Sequence, residues 1–541
     1  MAGVTATTTL SARLNGWLLG IAGTSEVGTM IVGGTLQNIS GDTRGFQDIQ
    51  LDYGIKGTGP LDRIAGTGTL TFGLNNSASN AAGEAGSYSP GHTNAISGWD
   101  LGCEIQLKIA YDGTDYYKFS GTLISIEPDA GQYRRQGVVC QAVDYIDDCA
   151  RAKVRNVTIQ SNKRADQLID TLVTSSISKQ PNATSYAEGQ STFVTSLDNL
   201  LDAETTVIQA LNDCVVSELG YLYVKGDTTQ GGTLTFEDRH ARPKKGAASA
   251  TFNNTMGTLS VGRSRSDLIN RVYVVVHPRT TDASNTVLFE LTSTATTPSV
   301  PSSNTITLNC PFRESSINAY RVAASSLVTP VSGTDWVANS AADGTGSNLT
   351  SDVTVAIENQ AANSAELTIT NANTTTTAYL TTLQLRGTAV RDVTETVMSA
   401  QDTGSSFSYG EIDSRIDMKY ESNAGEFGNE IAKWILNVYK DPRYVIKEFG
   451  LQSNKSAYLM THSLAREPGD KITLSEAMTG ITASSGAAEV GYFINGVSMT
   501  ITIPGTIKTS WILAPATSQA AWILNQVGAS EMGISTNLGF A

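Results

Sequence analysis

The sequence predicts a mainly β, multidomain protein: two β-barrels, a small α/β domain and an inserted β-sandwich. Three observations predict it. Short apolar–polar alternations bounded by turn residues recur through most of the chain. Charged residues make up only 16% of the 541 positions, against about 25% in an average soluble domain. Thr, Ser, Asn, Gly and Ala fill the gap, and these favour strands and turns over helices. Helical periodicity is confined to a few segments.

Residues 1–157 read as the first barrel. The stretch DRIAGTGTLTFGLNNS (62–77) is glycine-rich, but no lysine follows Gly66 or Gly68, so it is no phosphate loop, and Gly66-Thr67-Gly68 does not continue as a dinucleotide fingerprint. Leu70, Phe72 and Leu74 alternate with Thr69, Thr71 and Gly73, which predicts a half-buried strand ended by Asn75-Asn76-Ser77. Residues 75–98 form a long loop of small residues, a length uncommon in compact domains unless the loop contacts something. Asp112-Gly113 predicts a tight hairpin turn between Ile105–Tyr111 and Tyr116–Phe119, with a further strand at 137–146.

The pattern changes over 158–245, a small α/β domain. Leu168, Ile169, Leu172 and Val173 share one helical face within 163–177; Val207, Ile208, Leu211, Val215 and Leu219 do so within 204–224, with Gly220 as the expected stop. Strands follow at 221–224 and 232–240. Residues 246–284 supply strands joining the second barrel, the strongest within LINRVYVVV (268–276). Residues 285–397, rich in Thr and Ser, carry TVLFELT, TITLNC, VTVAIE, AELTITN and AYLTTLQLRG, and predict the inserted β-sandwich. Residues 398–510 form the second barrel with one helix (427–440), on which Phe427, Ile431, Trp434, Ile435 and Val438 share a face; Asp441-Pro442 ends it. Asn495-Gly496 predicts a type I′ hairpin turn between 490–494 and 497–501. The last segment, 511–541, carries WILAPATSQ and WILNQVGAS and an apolar end, and reads as a contact tail.

Chemistry is sparse. None of His92, His240, His277 and His462 stands at a metal-ligand spacing from another, and no C-x-x-C pair occurs among five cysteines, an odd number that fits reduced thiols. Asp147-Asp148-Cys149 and Glu237-Asp238-Arg239-His240 are the densest polar clusters, and ion pairs or solvated strand ends explain them without catalysis. No G-x-S-x-G elbow and no EF-hand loop appears. The reading is therefore of a chain that is not an enzyme, with no catalytic, cofactor or metal residues. A net charge of −14 argues against gripping nucleic acid by its phosphates. No start resembles a signal peptide and no window reaches 18 apolar residues, so synthesis in a cytoplasm without a membrane anchor is expected.

The segments LDRIAGTGTLTFGLNNS (61–77), YSPGH (88–92), GWDLGCEIQLKIAYDGTDYYKFSGTLISIEPDAG (98–131) and VVCQAVDYIDDCARAKV (138–154), in that order, resemble the N-terminal region of tail-tip hub proteins of long-tailed bacteriophages. The likeness continues through 163–240, LINRVYVVVHPR (268–279) and ISTNLGF (534–540), and is weakest over 285–397. Such proteins are similar to the baseplate hub of contractile tails and to type VI secretion spike proteins. The resemblance implies two tube-forming barrels per chain and a homotrimer at the distal end of the virion tail, made in the bacterial host cytoplasm. Its implied partners are the tail tube or distal tail protein ring, tip fibre or spike proteins and the tape measure protein, with genomic DNA passing without specific binding. Trp511, Trp522, Leu538 and Phe540 are the expected subunit contacts. The rival expectations are a receptor- or glycan-binding tail protein, with 285–397 as the binding module, and a cell-wall-degrading tail enzyme.

Overall fold

The structure, a computed structural model, describes residues 4–14, 36–43, 47–129, 136–253, 256–282, 284–291, 297–313, 322–392, 395–422, 427–442, 444–476, 481, 490–503 and 505–516, with backbone alone at 520–521 and 536–537. Strand is 46% and helix 16%, so the chain is mainly β.

One thirteen-stranded sheet dominates. Seven of its strands come from the N-terminal region: Thr7–Arg13, Leu36–Asn38, Ile49–Gly54, Thr69–Asn75, Glu104–Tyr111, Thr114–Pro128 and Gly137–Val143. Six come from later in the chain: Ala250–Asn253, Thr258–Gly262, Val445–Gln452, Lys471–Ser475, Val490–Thr502 and Thr506–Pro515. The halves meet where Ile49–Gly54 pairs antiparallel with Gly496–Ile501, in register from Gly54 opposite Gly496 to Ile49 opposite Ile501. One apolar cluster runs under both halves, from Leu10, Leu70, Phe72 and Leu107 to Phe252, Phe449, Ile494 and Leu513.

Two barrels were expected, but none of the described sheets closes on itself. The physical reason lies at the seam. The free side of Ile49–Gly54, which could close the N-terminal strands into a ring, hydrogen-bonds to the C-terminal half instead. The strand over 69–75 forms as the alternation predicts, with Leu70, Phe72 and Leu74 fully buried. The Asp112-Gly113 turn also forms: both residues have positive φ, 48° and 77°, and Tyr111 lies opposite Thr114. The 75–98 loop packs on its own half-sheet, where the Tyr88 hydroxyl donates to Asp42 at 2.5 Å and Tyr88 meets Trp99 edge-on at 5.2 Å.

Asn495-Gly496 is not a turn. Val490–Thr502 is one strand, with its register shift between Ile494 and Gly496, and the hairpin reverses between Thr502 and Thr506. The Asn495 amide is used elsewhere: Nδ2 donates to the Gly57 carbonyl at 2.7 Å and Oδ1 accepts from Arg242 at 2.8 Å. The glycine serves a close approach, since a Cβ at Gly496 would stand 2.9 Å from the Ile55 carbonyl oxygen. The expected 511–541 tail likewise begins inside a core strand, Thr506–Pro515, which pairs with Val490–Thr502 and Val445–Gln452.

Two helices, Ala165–Ser176 and Val207–Glu218, pack against strands Tyr221–Lys225 and Thr233–Glu237, burying Leu168, Ile169, Leu172, Leu211 and Val215. The second helix ends on Leu219 at φ 58°, one residue before the glycine expected to stop it. Gly220 is instead required by packing, because a Cβ there would meet Phe236 at 2.5 Å. Arg271–Val276 lies between Thr396–Gln401 and Asp413–Met418, covered by the expected helix, Asn429–Tyr439. The described strands of 285–397, joined by Arg279–Thr281, form a six-stranded sheet around Ala378–Asp392 and a three-stranded sheet, Asn304–Pro311, Ser364–Asn371 and Val353–Gln360, over one apolar cluster. Helices Tyr145–Arg151, Thr403–Tyr409 and Ala457–Ala465 were not expected from the sequence. All five cysteines are buried, and none is in a disulfide.

Phe449 is fully buried, stacked on Trp511 at 5.3 Å and edge-on to Phe252 at 5.5 Å. Phe449→Ala is expected to lower stability by about 3–5 kcal/mol in urea unfolding, whereas Phe407→Ala, at a side chain 94% exposed, should stay within about 0.5 kcal/mol. A second test concerns Asp144, which caps the Tyr145–Arg151 helix by accepting from Ile146 N–H at 3.1 Å while its Oδ2 has no hydrogen-bond partner. Burial pushes its carboxyl up to about 7. A raised carboxyl favours the protonated fold, so its contribution is lost as pH rises from about 4 through that value. Asp144→Asn should therefore gain stability relative to wild type between pH 5 and pH 8, measured as the difference in thermal midpoint.

Candidate functional site: a buried ionic joint

The half-sheets and the helix–strand unit meet at a cluster of buried charges. Glu237, at the end of Thr233–Glu237, accepts from Arg242 Nε at 2.9 Å and from Lys245 Nζ at 2.5 Å. Lys245 also donates to the Gly469 carbonyl at 2.8 Å, and Arg242 Nη1 reaches Asn495. These contacts tie the turn after the strand to the C-terminal half-sheet. The Arg242 guanidinium lies 3.6 Å from the Tyr221 ring centroid, with Arg63 4.9 Å from the same ring. Arg63 donates to the carbonyls of Leu219 at 2.5 Å and Pro60 at 2.7 Å.

Glu467 is the second hub. It accepts from Lys118 Nζ, from the Tyr53 hydroxyl at 2.7 Å and from Gly226 N–H at 3.0 Å. Lys118, on Thr114–Pro128, is 1% exposed at its side chain and donates also to the Leu464 and Arg466 carbonyls at 3.0 and 3.3 Å. The C-terminal half thus grips the N-terminal half through Tyr53 and Lys118, and the helix–strand unit through Gly226. Gly469, between the two hubs, has φ +90°, and a Cβ there would stand 2.3 Å from the Tyr223 hydroxyl.

The electrostatics are those of an anchor. Burial alone would raise Glu237, but Arg242 and Lys245 hold it below the usual carboxylate range. Burial, reinforced by Glu467, pushes Tyr53 up. Burial would raise Tyr221 as well, yet Arg63 and Arg242 bring it below the usual phenol value. Each carboxylate here is held by cations or N–H donors, so none is free to accept a proton from a reactant. A separate cleft of about 300 Å³ opens between Thr7–Arg13, Ile49 and Ile501; Leu10, Ile49, Ile501 and Ile503 line it with Thr7, Thr8 and Ser40, and among the described residues no acid, base or thiol does. Among the described residues no group of three His, Cys, Asp or Glu side chains could hold a metal ion.

Both polar clusters singled out in the sequence are ion-paired. Glu237 is a hub of the joint, Arg239 pairs with the buried Glu218 at 2.9 Å, and Asp147 and Asp148 pair with Arg151 at 2.6 and 2.9 Å. Trp511, expected at a subunit contact, is 3% exposed inside the chain's own core. An indole enclosed by Phe252 and Phe449 offers no surface to a neighbour, which corrects that expectation. Trp522, Leu538 and Phe540 lie outside the described residues. Lys118, Glu467, Arg242 and Asn495 were missed, because their partners stand 349 and 253 positions away and leave no local signal.

Glu237→Gln leaves the buried Arg242 and the partly exposed Lys245 facing a neutral amide. It is expected to cost about 3–5 kcal/mol at pH 7. Because the native carboxyl sits below its usual value, wild type loses this contribution as pH falls below about 4. The gap between variant and wild type in urea unfolding should therefore shrink from pH 7 to pH 3.5.

No protein-family model and no curated protein sequence matches the chain. Its fold is similar to solved structures. One is a tail protein from Neisseria meningitidis, at 9% identity and TM-score 0.46, covering 95% of this chain and 97% of that one. A prophage MuSo2 43 kDa tail protein from Shewanella oneidensis matches at 9% identity and TM-score 0.42 over 94% and 99%. An E. coli component of the type VI secretion system, described as similar to T4 bacteriophage tail proteins gp27 and gp5, matches at 7% identity and TM-score 0.34 over 88% and 76%. The chain's structural neighbours are thus phage tail proteins and a type VI secretion component.

Proposed function

We propose that this chain is a structural protein of a bacteriophage tail, a homotrimeric hub at the tail tip or baseplate. The observation that carries the reading is the sheet built of two half-sheets, seven strands from the N-terminal region and six from the middle and C-terminal parts of the chain, joined along one strand pair. A subunit with two comparable β units presents six such units in a trimer, so a threefold tip complex can dock a sixfold tube. In this reading neighbouring copies complete the tube-like barrels that the single chain leaves open. The ionic joint fixes the angle between the units. The 285–397 region forms a separate β-sandwich on the outside.

The chain would contact the tail tube or distal tail ring, tip fibre or spike proteins and the tape measure protein. The net charge of −14 supports a channel that passes DNA without holding it. The role is mechanical and non-enzymatic.

Two measurements test this. Native mass spectrometry of the purified protein or a tail subassembly should show three copies, and gold-labelled antibody should mark the distal end of the tail; a strict monomer at one copy per particle contradicts the reading. Deletion of 517–541 spares the Thr506–Pro515 strand, so the variant should keep the wild-type thermal midpoint while failing to complement tail assembly.

A further inference from the structure

Residues 279–392 leave and rejoin the body through a two-stranded neck. Arg279–Thr281 pairs antiparallel with Val390–Asp392, Arg279 opposite Asp392 and Thr281 opposite Val390. Beyond the neck, the cluster running from Leu288 to Ala389 draws all its buried members from this segment. The neck's foot therefore governs how the segment is held.

His277 lies at that foot with a side chain 1% exposed. Its Nε2 is 2.6 Å from Asp417 Oδ1 and its Nδ1 is 3.3 Å from Asp392 Oδ2. Asp417 belongs to the body, on Asp413–Met418, and Asp392 ends the returning neck strand. Arg279 surrounds the same point. Its Nε donates to Asp198 at 2.5 Å, its Nη1 to the other Asp392 oxygen at 2.9 Å and its Nη2 to the Lys419 carbonyl at 3.0 Å. Lys419 Nζ pairs with Asp417 Oδ2 at 2.7 Å, and the Glu421 carbonyl accepts from the His277 backbone N–H at 2.8 Å. From the Val207–Glu218 helix, Asp213 faces the cluster, its carboxyl pushed up by burial.

We propose that His277 is a proton-operated latch that fixes the neck of the 279–392 segment to the body. Both ring nitrogens face carboxylate oxygens, and only the imidazolium has an N–H for each. A neutral ring has one N–H, so one contact becomes lone pair against lone pair. The 2.6 Å contact to Asp417 keeps the proton; the 3.3 Å contact to Asp392, whose side chain is 50% exposed, is the one lost. Arg279 still holds Asp392, so the neck loosens without detaching. The latch is therefore closed with the imidazolium and opens on loss of its proton.

The test is amide hydrogen exchange on the full-length protein at pH 5.5 and pH 8.0, expressed as protection factors to remove the intrinsic pH dependence. Peptides covering 277–282 and 388–392 should lose about tenfold in protection at the higher pH, the order expected for one charge-assisted hydrogen bond, while seam peptides over 496–501 stay constant. His277→Gln should show low neck protection at both pH values. Asp392→Asn, at a half-exposed side chain, keeps the His277–Asp417 contact and should also abolish the pH dependence. A wild-type neck with equal protection at both pH values overturns the latch, as does a tenfold change that persists in Asp392→Asn.

Discussion

The pairing of Ile49–Gly54 with Gly496–Ile501 is the constraint on which the rest of the structure depends. It joins strands nearly a whole chain apart, and loop-closure entropy makes such contacts costly to form. Six residue pairs of ladder cannot alone hold two half-sheets at one angle. The apolar cluster beneath both halves supplies most of the favourable free energy, because burial of aliphatic and aromatic surface scales with area. That term is non-directional. Direction comes from Glu237 and Glu467, whose charge-assisted hydrogen bonds reach three parts of the chain and fix their mutual geometry.

Buried ion pairs are weak evidence for stability, since desolvation can exceed the Coulomb gain. Their use here is better described as register. The long strand Val490–Thr502 is shared: Lys471–Ser475 pairs along its first part and Ile49–Gly54 along its second. A one-residue slip at that fork would turn the apolar faces of both partners outward. Asn495 sits at the fork with its carbonyl accepting from Ile55 N–H at 2.8 Å and its amide held by Gly57 and Arg242. A slipped strand would leave those polar groups buried without partners, which costs about 1–3 kcal/mol each. The joint therefore discriminates against the wrong pairing more than it strengthens the right one.

Local structure was legible in the sequence where local physics decides it. Leu70, Phe72 and Leu74 declare a strand by alternation, Asp112-Gly113 a turn by its tolerance of positive φ, and Leu168 to Val173 a helix by spacing. The same rules misplaced Asn495-Gly496 because its side chain answers to residues 57 and 242, and a dipeptide carries no trace of distant partners. The helix Tyr145–Arg151 did leave a signal, Asp144 as a cap with Asp147 and Asp148 in the first turn, which a strand-dominated context obscured. Ala457–Ala465 left less, since its apolar residues are spread around the helix. Of the joint, only Glu237 stood out in sequence, within a cluster whose ion-pair reading was right in kind but placed at the surface.

The openness of the large sheet has a physical consequence that does not depend on how copies assemble. Among the described residues, Leu36–Asn38, Ala250–Asn253 and Thr258–Gly262 each have one strand neighbour. An edge strand presents unpaired N–H and C=O groups, and proteins that remain monomeric shorten, charge or cover such edges. Thr258–Gly262 is five residues long and carries no charge or proline, and its pairing with Val445–Gln452 is interrupted by a register shift at Ser260 and Val261. The shift twists that edge rather than capping it.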